Sequence, residues 1–301
     1  YKAARDILEK VRVALAKNVS TESSDPKTFR ILDKKTVIKE MGAGINLGNT
    51  MDGGLYDSSE TGWQAYKTAK DYIKALHDAG YNTVRIPVTW GSHINDDYTI
   101  DEAWINRVQE IVDYCVDQDM YAIVNIHHDG AANHDDRGNN TPACWLDTYS
   151  QNIEKVYQKY EGVWNTIANR FKDYDEHVIF ESMNEVTDAH GTATNEDDAV
   201  LNALNQLFIN TVRATGSNNT KRWLAITGRF ATTAAITTMP EDTLADSGDL
   251  GTTRLMFAVH IYKSNNNVRW SYDDLKQWQS SMSSSYKNVG NLDVNMPIYV
   301  G

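Results

Sequence analysis

The sequence is poor in cysteine, with only two among its 301 residues. So few cysteines exclude a disulfide-rich scaffold, and their positions do not match the spacing of a metal-binding motif. Cys115 falls late in a predicted helix, whereas Cys144 falls in a loop after a predicted strand. In a barrel these two positions lie near opposite ends, so we expect two free thiols.

Positive charge is also scarce, and long apolar runs are missing. Lysine and arginine total 29 against 41 aspartate and glutamate residues, which gives a formal net charge of -12. A nucleic-acid-binding face needs clustered basic side chains, so we expect no nucleic-acid partner, and acidic substrates are disfavoured. No apolar segment reaches the length that crosses a membrane, and the chain begins at Tyr1 without an apolar leader. We therefore expect no membrane partner.

Predicted strands and helices alternate along the chain. Apolar runs predict seven strands, at residues 41–49, 81–90, 120–128, 177–186, 222–229, 254–262 and 296–300. Helical periodicity predicts helices at 61–79, 101–118, 153–171, 200–215 and 272–286, with a short helical stretch ending near Pro240. Another predicted helix, 3–17, belongs to an N-terminal helical extension over residues 1–33 that packs outside the main body.

This alternation predicts parallel strands joined by right-handed crossovers. We expect an α/β fold of the (β/α)8 TIM-barrel type, formed by residues 1–301 as one domain, with the eighth strand missing from the chain. A doubly wound sheet would need a glycine-rich phosphate loop after an early strand. Gly42 and Gly44 lie inside the first predicted strand, and Gly53 and Gly54 lie in a polar loop. The sequence therefore has no dinucleotide fingerprint, and we expect no cofactor.

The segment His177 to Val186, HVIFESMNEV, has the pattern of a buried strand that delivers Asn184 and Glu185 to its C-terminal end. A parallel barrel keeps its catalytic groups at that end. A carboxyl that follows a hydrogen-bonding amide suits a general acid, although a structural glutamate in an ion pair would give the same pattern. Glu181, on the same strand face, is expected deeper in the barrel as a paired or protonated structural group.

Other predicted strands also end in polar side chains. These are Arg85, His127, His128, His260 and Tyr262, with Asn46 or Asn49 at the end of the first strand. Each has a structural alternative, as an internal ion pair for the arginine and as buried hydrogen-bonding groups for the others. Because the C-terminal ends of barrel strands meet at one face, we expect these groups to converge with Glu185.

Several motifs together resemble glycoside hydrolase family 5, a cellulase-rich family of retaining (β/α)8 glycosidases. They are GYNTVRIPVTW at 80–90, IVNIHHDG at 123–130, FESMNEV at 180–186, AVHIYK at 258–263 and PIYVG at 297–301. MGAGINLGNTMDG, at 41–53, is similar to the branch of endoglucanases that often act on xyloglucan, mixed-linkage glucan or xylan. The resemblance runs from residue 41 to residue 301, and jointly the motifs are highly specific.

The resemblance implies roles for the residues at the strand ends. Glu185 matches the acid/base, Asn184 the residue that contacts the sugar 2-hydroxyl, and Arg85 the arginine that orients the nucleophile. The residues that match those around the cleaved sugar are His127, His128, His260 and Tyr262. The implied activity is endo-acting hydrolysis of β-1,4-glucosidic bonds in cellulose, xyloglucan and mixed-linkage glucan. The resemblance also implies a secreted, extracellular protein with a polysaccharide or oligosaccharide as its partner, and we expect a monomer or one module of a larger protein.

Retaining catalysis needs a second carboxylate, about 5 to 5.5 Å from the acid. In the family this nucleophile follows a glycine at the end of the seventh strand, in a pattern like PIYVG followed by Glu and Phe. We therefore expect the nucleophile immediately after Gly301. Two rival hypotheses stay open, a mannanase or xylanase of the same family and a carbohydrate-binding barrel without turnover.

Aromatic and polar side chains in the predicted loops are further candidates for substrate binding. They are Asn49, Trp90, His93, Trp145 and Trp270, beside His128. Aromatic rings stack on the apolar faces of sugars, but they pack into cores as readily.

Histidine and aspartate at 127–129 and 134–136 suggest a metal site as an alternative. Barrel metallohydrolases usually draw ligands from the first strand as well. Residues 45–49 offer only amides there, so we expect no metal.

Overall fold

The computed structural model describes residues 28–53, 59–130, 144–148, 152–187, 195–232, 236, 240–243, 245, 254–261 and 296–301. The helices predicted at 3–17 and 272–286, the candidate metal segment 134–136, and the candidate site residues Tyr262 and Trp270 lie outside these residues. The short helical stretch predicted to end near Pro240 lies largely outside them as well.

Seven parallel strands form one sheet, and each strand lies beside its neighbour in the sequence. The strands are β1 Gly44–Asn46, β2 Thr83–Ile86, β3 Tyr121–Asn125, β4 Val178–Glu181, β5 Leu224–Ile226, β6 Leu255–Val259 and β7 Ile298–Val300. Asn46 pairs with Arg85 in the register of β1 and β2, and Asn125 pairs with Glu181 in that of β3 and β4. All seven predicted strands are confirmed, and each observed strand is shorter than the predicted segment that contains it.

Within the described residues, one helix precedes β1, and four helices connect successive strands from β1 to β5. They are α1 Lys34–Met41, α2 Lys70–Asp78, α3 Glu102–Val116, α4 Ile153–Phe171 and α5 Asn195–Ala214, with short 3-10 helices at Gly91–His93, Ser217–Thr220 and Arg229–Ala231. The prediction for α4 is confirmed at both ends. The predicted start of α2 at residue 61 is wrong, because the preceding segment folds back on itself and the Thr68 N–H donates to the buried Glu60 carboxylate (2.7 Å).

Helix α1 was not predicted, and the expectation of a strand from residue 41 is wrong at its start. Asp33 caps α1 by accepting hydrogen bonds from the backbone N–H groups of Lys35 and Thr36 (2.9 and 2.8 Å). Gly42 ends the helix at a φ of 52°, a backbone conformation that favours glycine. The Thr83 hydroxyl at the start of β2 donates to the Met41 carbonyl (2.6 Å), so α1 lies at the N-terminal ends of the strands.

Alternating side chains of the strands fill two hydrophobic layers. One layer lies between the sheet and helices α2 to α5 and includes Val124, Phe180 and Trp164. The other lies on the opposite face, where strand residues such as Ile123 and Ile179 pack with α1. This period of two is typical of barrel strands, which are buried on both faces.

The sheet has the order of a (β/α)8 barrel with seven of its strands, and no pairing joins β7 to β1 within the described residues. A cavity of about 330 Å³ lies between these two edge strands, and Ile45, Met256 and Tyr299 are among its lining residues. Helix α1 closes one side of this cavity through Met41. Asn46 and Arg85 line this cavity as well, so it extends along the open edge of the sheet to the polar groups at the strand ends.

Both cysteines are buried thiols that form no disulfide with each other, as predicted. Burial raises the pKa of the Cys115 thiol to about 12, so this residue is an inert part of the core. Among the described residues, no helix combines the length and the apolar character needed to cross a membrane.

Candidate active site

An ion pair between Arg85 and Glu181 forms the floor of the site. Arg85 Nε donates to Glu181 Oε2 (2.8 Å) and Arg85 Nη2 donates to Glu181 Oε1 (2.7 Å). The guanidinium also donates to Asn184 Oδ1 (3.0 Å) and to Asn46 Oδ1 (3.2 Å). The side chains of Arg85 and Glu181 are 6% and 0% exposed. The expectation that Glu181 is a paired structural carboxylate agrees with this geometry.

Glu181 stays ionised because its partners outweigh its burial. Burial raises the pKa of this carboxyl, but the charge of Arg85 and hydrogen bonds from Arg85 and Tyr299 bring the pKa below its ordinary value. The Tyr299 hydroxyl donates to Glu181 Oε2, and Asn125 Nδ2 donates to Oε1 (3.3 Å). Burial and the nearby Glu181 charge raise the pKa of Tyr299, so the phenol stays neutral and keeps its donor proton.

Glu185 follows the end of β4, in the loop at the solvent-accessible mouth of the site. Its Oε1 shares a hydrogen bond of 2.6 Å with His260 Nδ1. The Glu185 side chain is 32% exposed, whereas that of His260 is 4% exposed. The two carboxylates of this strand therefore have different environments, because Glu181 is locked in an ion pair and Glu185 can reach a ligand.

Gly301, directly after β7, packs against both His260 and Arg85. Its N–H donates to the Val259 carbonyl (2.8 Å), which fixes the chain beside β6. A Cβ atom at Gly301 would lie 2.8 Å from His260 Nε2 and 3.4 Å from Arg85 Nε. Contacts below 3.0 Å are essentially not seen for real Cβ atoms, so no other residue fits here without a shift of the histidine ring.

Replacing Gly301 with alanine should therefore lower turnover by about a hundredfold, since a displacement near 1 Å in a catalytic group costs this much. The His260 ring would have to move and would lose its hydrogen bond to Glu185. The matched control is Gly48→Ala, because a Cβ atom there has no neighbour within 4 Å. Equal turnover of Gly301→Ala and Gly48→Ala in the full-length protein would contradict the packing described above.

The hydrogen bonds of Asn125 define the tautomer of His127. Asn125 Oδ1 accepts from the Val88 N–H (3.2 Å) and its Nδ2 donates to the Glu181 carboxylate, which orients the amide. The same Nδ2 lies 3.1 Å from His127 Nδ1, so Nδ1 accepts and Nε2 carries the proton. Burial, followed by the charge of Arg85, lowers the pKa of His127 well below its ordinary value. His127 is thus a neutral imidazole that offers one N–H to a ligand.

Asp52 lies beside His127 and His128, and the sequence did not predict this contact. Asp52 Oδ2 lies 3.7 Å from His128 Nε2 and 4.0 Å from His127 Nε2. The three residues offer ligand atoms that lie within 4.8 Å of one another, a group able to surround a metal ion. Since His127 Nε2 carries a proton, the arrangement favours hydrogen bonding to a hydroxyl over metal ligation.

Asp129 holds two of the tryptophans near the site. Its carboxylate accepts hydrogen bonds from the backbone N–H of Trp90 (3.1 and 3.2 Å) and from the indole Nε1 of Trp145 (2.7 Å). Burial raises the pKa of Asp129 to about 7, against the opposing effect of these donors. The carboxyl therefore changes its charge near neutral pH while buried beneath the site.

We expect Asp129→Asn to change how stability depends on pH. The folded-state pKa near 7 exceeds the unfolded value of about 3.9, so this group's stabilising contribution is complete below about 3.9 and is lost as pH rises through 7. The asparagine variant should therefore gain on the order of a few kcal/mol relative to wild type between pH 4 and pH 8. Denaturant unfolding at both pH values measures this difference, and parallel pH profiles for the two proteins would contradict it.

The predicted substrate contacts fall into different environments. Trp90 is 0% exposed and its Nε1 donates to the Asn125 carbonyl (2.8 Å), so the expectation that it binds glucosyl units is corrected to a packing role. One face of His93 is covered by Trp104, at 3.9 Å between ring centroids and 9° between planes. Trp145 is half-buried with Lys159 Nζ 4.9 Å from its ring centroid, and Asn49 is exposed. His128 is half-buried beside Asp52, so it remains within reach of a ligand.

Comparison with known proteins identifies the family to which this arrangement corresponds. Residues 41–301 match the family model described as cellulase (glycosyl hydrolase family 5). The chain is similar to Endoglucanase B of Clostridium cellulovorans, with 36% identity over 271 residues that cover 87% of this chain and 56% of that protein. It is also similar to Cellulase/esterase CelE of Acetivibrio thermocellus, with 39% identity over 235 residues that cover 75% of this chain and 26% of that protein.

A solved structure agrees with these sequence matches. A family 5 xyloglucanase from Paenibacillus pabuli, in complex with ligand, superimposes with a TM-score of 0.72 at 32% identity, covering 87% of this chain and 79% of that one. The chain spans about a quarter of the length of the Acetivibrio protein and just over half that of the Clostridium protein.

Proposed function

The chain belongs to glycosyl hydrolase family 5, and on that basis we propose that it carries the catalytic centre of a retaining endo-β-1,4-glucanase. The proposed substrates are the β-glucans cellulose, xyloglucan and mixed-linkage glucan. The observation that carries this proposal is the accessible Glu185 carboxyl, hydrogen-bonded to His260 and placed directly after Asn184 at the end of β4. Similarity to a xyloglucanase and to endoglucanases supports the choice of β-glucans.

Glu185 acts as the general acid and then as the general base. Its proton goes to the leaving glycosidic oxygen as the bond to the anomeric carbon breaks, and the same carboxylate later removes a proton from the attacking water. His260 holds Oε1 at 2.6 Å, which orients the carboxyl towards the cleft. Glu181 cannot serve this role, because both of its oxygens are bound by Arg85.

The nucleophile is a carboxylate at the position after Gly301. The support for this position is that Gly301, directly after β7, packs against both His260 and Arg85. In this proposal the Arg85 guanidinium orients the nucleophile and Asn184 contacts the sugar 2-hydroxyl, and the hydrogen bond of 3.0 Å between these two side chains supports their joint action. In a retaining enzyme the two carboxyls lie about 5 to 5.5 Å apart, which suits attack from the face opposite the acid.

The protein acts outside the cell. Its proposed substrates are polymers that do not cross a membrane, so the catalytic centre must be exported to reach them. Family relatives named as endoglucanases support a polysaccharide partner. We further propose that the centre works as a monomer or as one module of a longer chain, since the matched relatives are longer than the part that aligns.

Hydrolysis of a polysaccharide panel tests the proposed function. The full-length protein should release reducing sugar from carboxymethylcellulose, xyloglucan and barley β-glucan, with a rapid fall in viscosity that is characteristic of internal cleavage. Preferred cleavage of mannan or xylan would identify a different activity within the family. Binding to these polymers without any hydrolysis would identify a carbohydrate-binding barrel instead.

A further inference from the structure

A buried hydrogen-bond network joins the C-terminal ends of β4, β5 and β6. The Ser182 hydroxyl donates to Asn205 Oδ1 (2.8 Å), and Asn205 Nδ2 donates to the Thr227 carbonyl (2.8 Å). The Thr227 hydroxyl donates in turn to the Ala258 carbonyl of β6 (2.9 Å). Ser182 directly follows β4, Thr227 directly follows β5, and Asn205 lies on helix α5. All four residues are buried, so the network lies inside the protein.

Every polar group of Ser182 forms a hydrogen bond. Its N–H donates to the Ala225 carbonyl of β5 (2.9 Å). Its carbonyl accepts from the Tyr160 hydroxyl (2.8 Å) and from Trp164 Nε1 (3.3 Å), and both of these side chains are buried on α4. A buried polar group is costly without a partner, so these bonds fix the position at which the chain leaves β4.

Each end of the network lies close in sequence to one member of the Glu185–His260 pair. Glu185 is three residues after Ser182, and His260 is two residues after Ala258. Glu185 Oε1 and His260 Nδ1 are 2.6 Å apart, a distance that a small relative shift of the ends of β4 and β6 would lengthen. Strand β5 lies between these two strands, and the network crosses it through side-chain hydrogen bonds.

From this connection we propose that Asn205 and Thr227 are positioning residues for the acid/base. They set the separation between the ends of β4 and β6, and they thereby hold Glu185 within hydrogen-bond distance of His260. Neither residue contacts the substrate, because both are buried and act through the backbone. The proposal rests on the proposed function, in which Glu185 is the acid/base. A tie that only stabilised the fold would not favour the step that needs a proton over other steps.

Thr227→Val tests this role in the full-length protein. Valine keeps the shape of threonine but has no hydroxyl to donate to the Ala258 carbonyl. The kcat/KM on soluble β-glucan should fall by about tenfold, since a displacement near 1 Å costs about a hundredfold and a smaller shift costs less. The kcat/KM on dinitrophenyl cellobioside, which reports the first step, should change by less than about twofold, because this leaving group needs no proton. Thr227→Ser keeps the hydroxyl and should retain wild-type values on both substrates.

Asn205→Ala removes both hydrogen bonds of the amide and should have a larger effect than Thr227→Val. The kcat/KM on glucan per folded molecule should fall by about a hundredfold, with the folded fraction measured by circular dichroism. Thr211→Val is the matched control and should behave as wild type on both substrates. Thr211 is buried on the same helix, and its hydroxyl forms no hydrogen bond within the described part of the chain.

A double variant separates positioning from a general effect on the fold. In the His260→Ala background, Thr227→Val should cause no further loss on glucan, because its effect passes through His260. A further loss there, an equal loss on glucan and on dinitrophenyl cellobioside, or wild-type kinetics of Thr227→Val on glucan would each overturn the positioning role and leave the proposed function intact. Absence of glucan hydrolysis by wild type would instead refute the proposed function.

Discussion

Glu185→Gln in the full-length protein should reduce kcat on unactivated β-glucan by about 10²- to 10⁴-fold, the usual contribution of general acid–base catalysis. Glutamine keeps the shape of the side chain and can still bond to His260, but it has no proton to give to the leaving oxygen. Substrate binding should change little, because KM depends on contacts along the whole sugar chain. Michaelis kinetics on cello-oligosaccharides and on soluble glucan measure both parameters.

The effect of this substitution should depend on the leaving group. A dinitrophenolate departs without protonation, so the rate of the first step on a dinitrophenyl cellobioside should change little in Glu185→Gln. The rate of hydrolysis of natural glucan should show the full loss. Glu154→Gln, an exposed carboxylate in the first turn of α4, is the matched control and should behave as wild type. Near wild-type turnover of Glu185→Gln on glucan would exclude Glu185 as the acid.

Glu181→Gln should lower the free energy of unfolding by about 3–5 kcal/mol, because it leaves the Arg85 charge buried without its partner. For a domain of this size the midpoint of thermal unfolding should fall by roughly 10 °C. The double variant Arg85→Met with Glu181→Met should recover much of this stability, since apolar residues replace the whole pair. It should nevertheless stay inactive, because it lacks the guanidinium that we propose orients the nucleophile.

A surface ion pair is the matched control for this experiment. Arg170 pairs with Glu102 (2.5 Å), and their side chains are 24% and 76% exposed. Glu102→Gln should cost less than about 1 kcal/mol, as exposed pairs usually do. If Glu181→Gln lowered the free energy of unfolding as little as Glu102→Gln does, the buried ion pair would not stabilise the site.

Arg85→Lys separates the structural role of the arginine from its role towards the substrate. Lysine keeps the charge but lacks the planar donor set that binds Glu181 through two nitrogens while reaching Asn184. Turnover per folded molecule should fall strongly, with a smaller loss of stability than in Glu181→Gln. A variant that unfolds but keeps its turnover per folded molecule would restrict Arg85 to the ion pair.

The strand pattern could be predicted from the sequence because each buried strand is a compact apolar run. The segment that ends in Asn184 and Glu185 shows this, since hydrophobic side chains point to both faces of β4 and the polar residues begin where the strand leaves the core. The convergence of Arg85 with this strand also follows from parallel topology. The position of a residue within a predicted parallel strand therefore predicts at which end of the sheet its side chain lies.

The contribution of Asp52 could not be predicted in this way. It follows β1 by several residues and reaches the histidines only because the turn at Thr50 is held against Thr89. The contact between this turn and Thr89 joins residues far apart in the sequence, and hydrophobic periodicity cannot predict it. The same limit explains Trp90, since a tryptophan after a strand can point into the core or into the cleft, and here Asn125 and Asp129 hold it in the core.

Azide rescue of Glu185→Ala is the most direct test of the central claim that Glu185 is the acid/base of a retaining hydrolase. With a dinitrophenyl cellobioside the variant should form the glycosyl-enzyme intermediate and hydrolyse it slowly, because no base activates water. Added azide needs no base, so it should restore turnover and give the β-glycosyl azide, which proton NMR identifies. Formation of the α-glycosyl azide would make Glu185 the nucleophile, and the absence of any rescue would contradict the assignment of Glu185 as the acid/base.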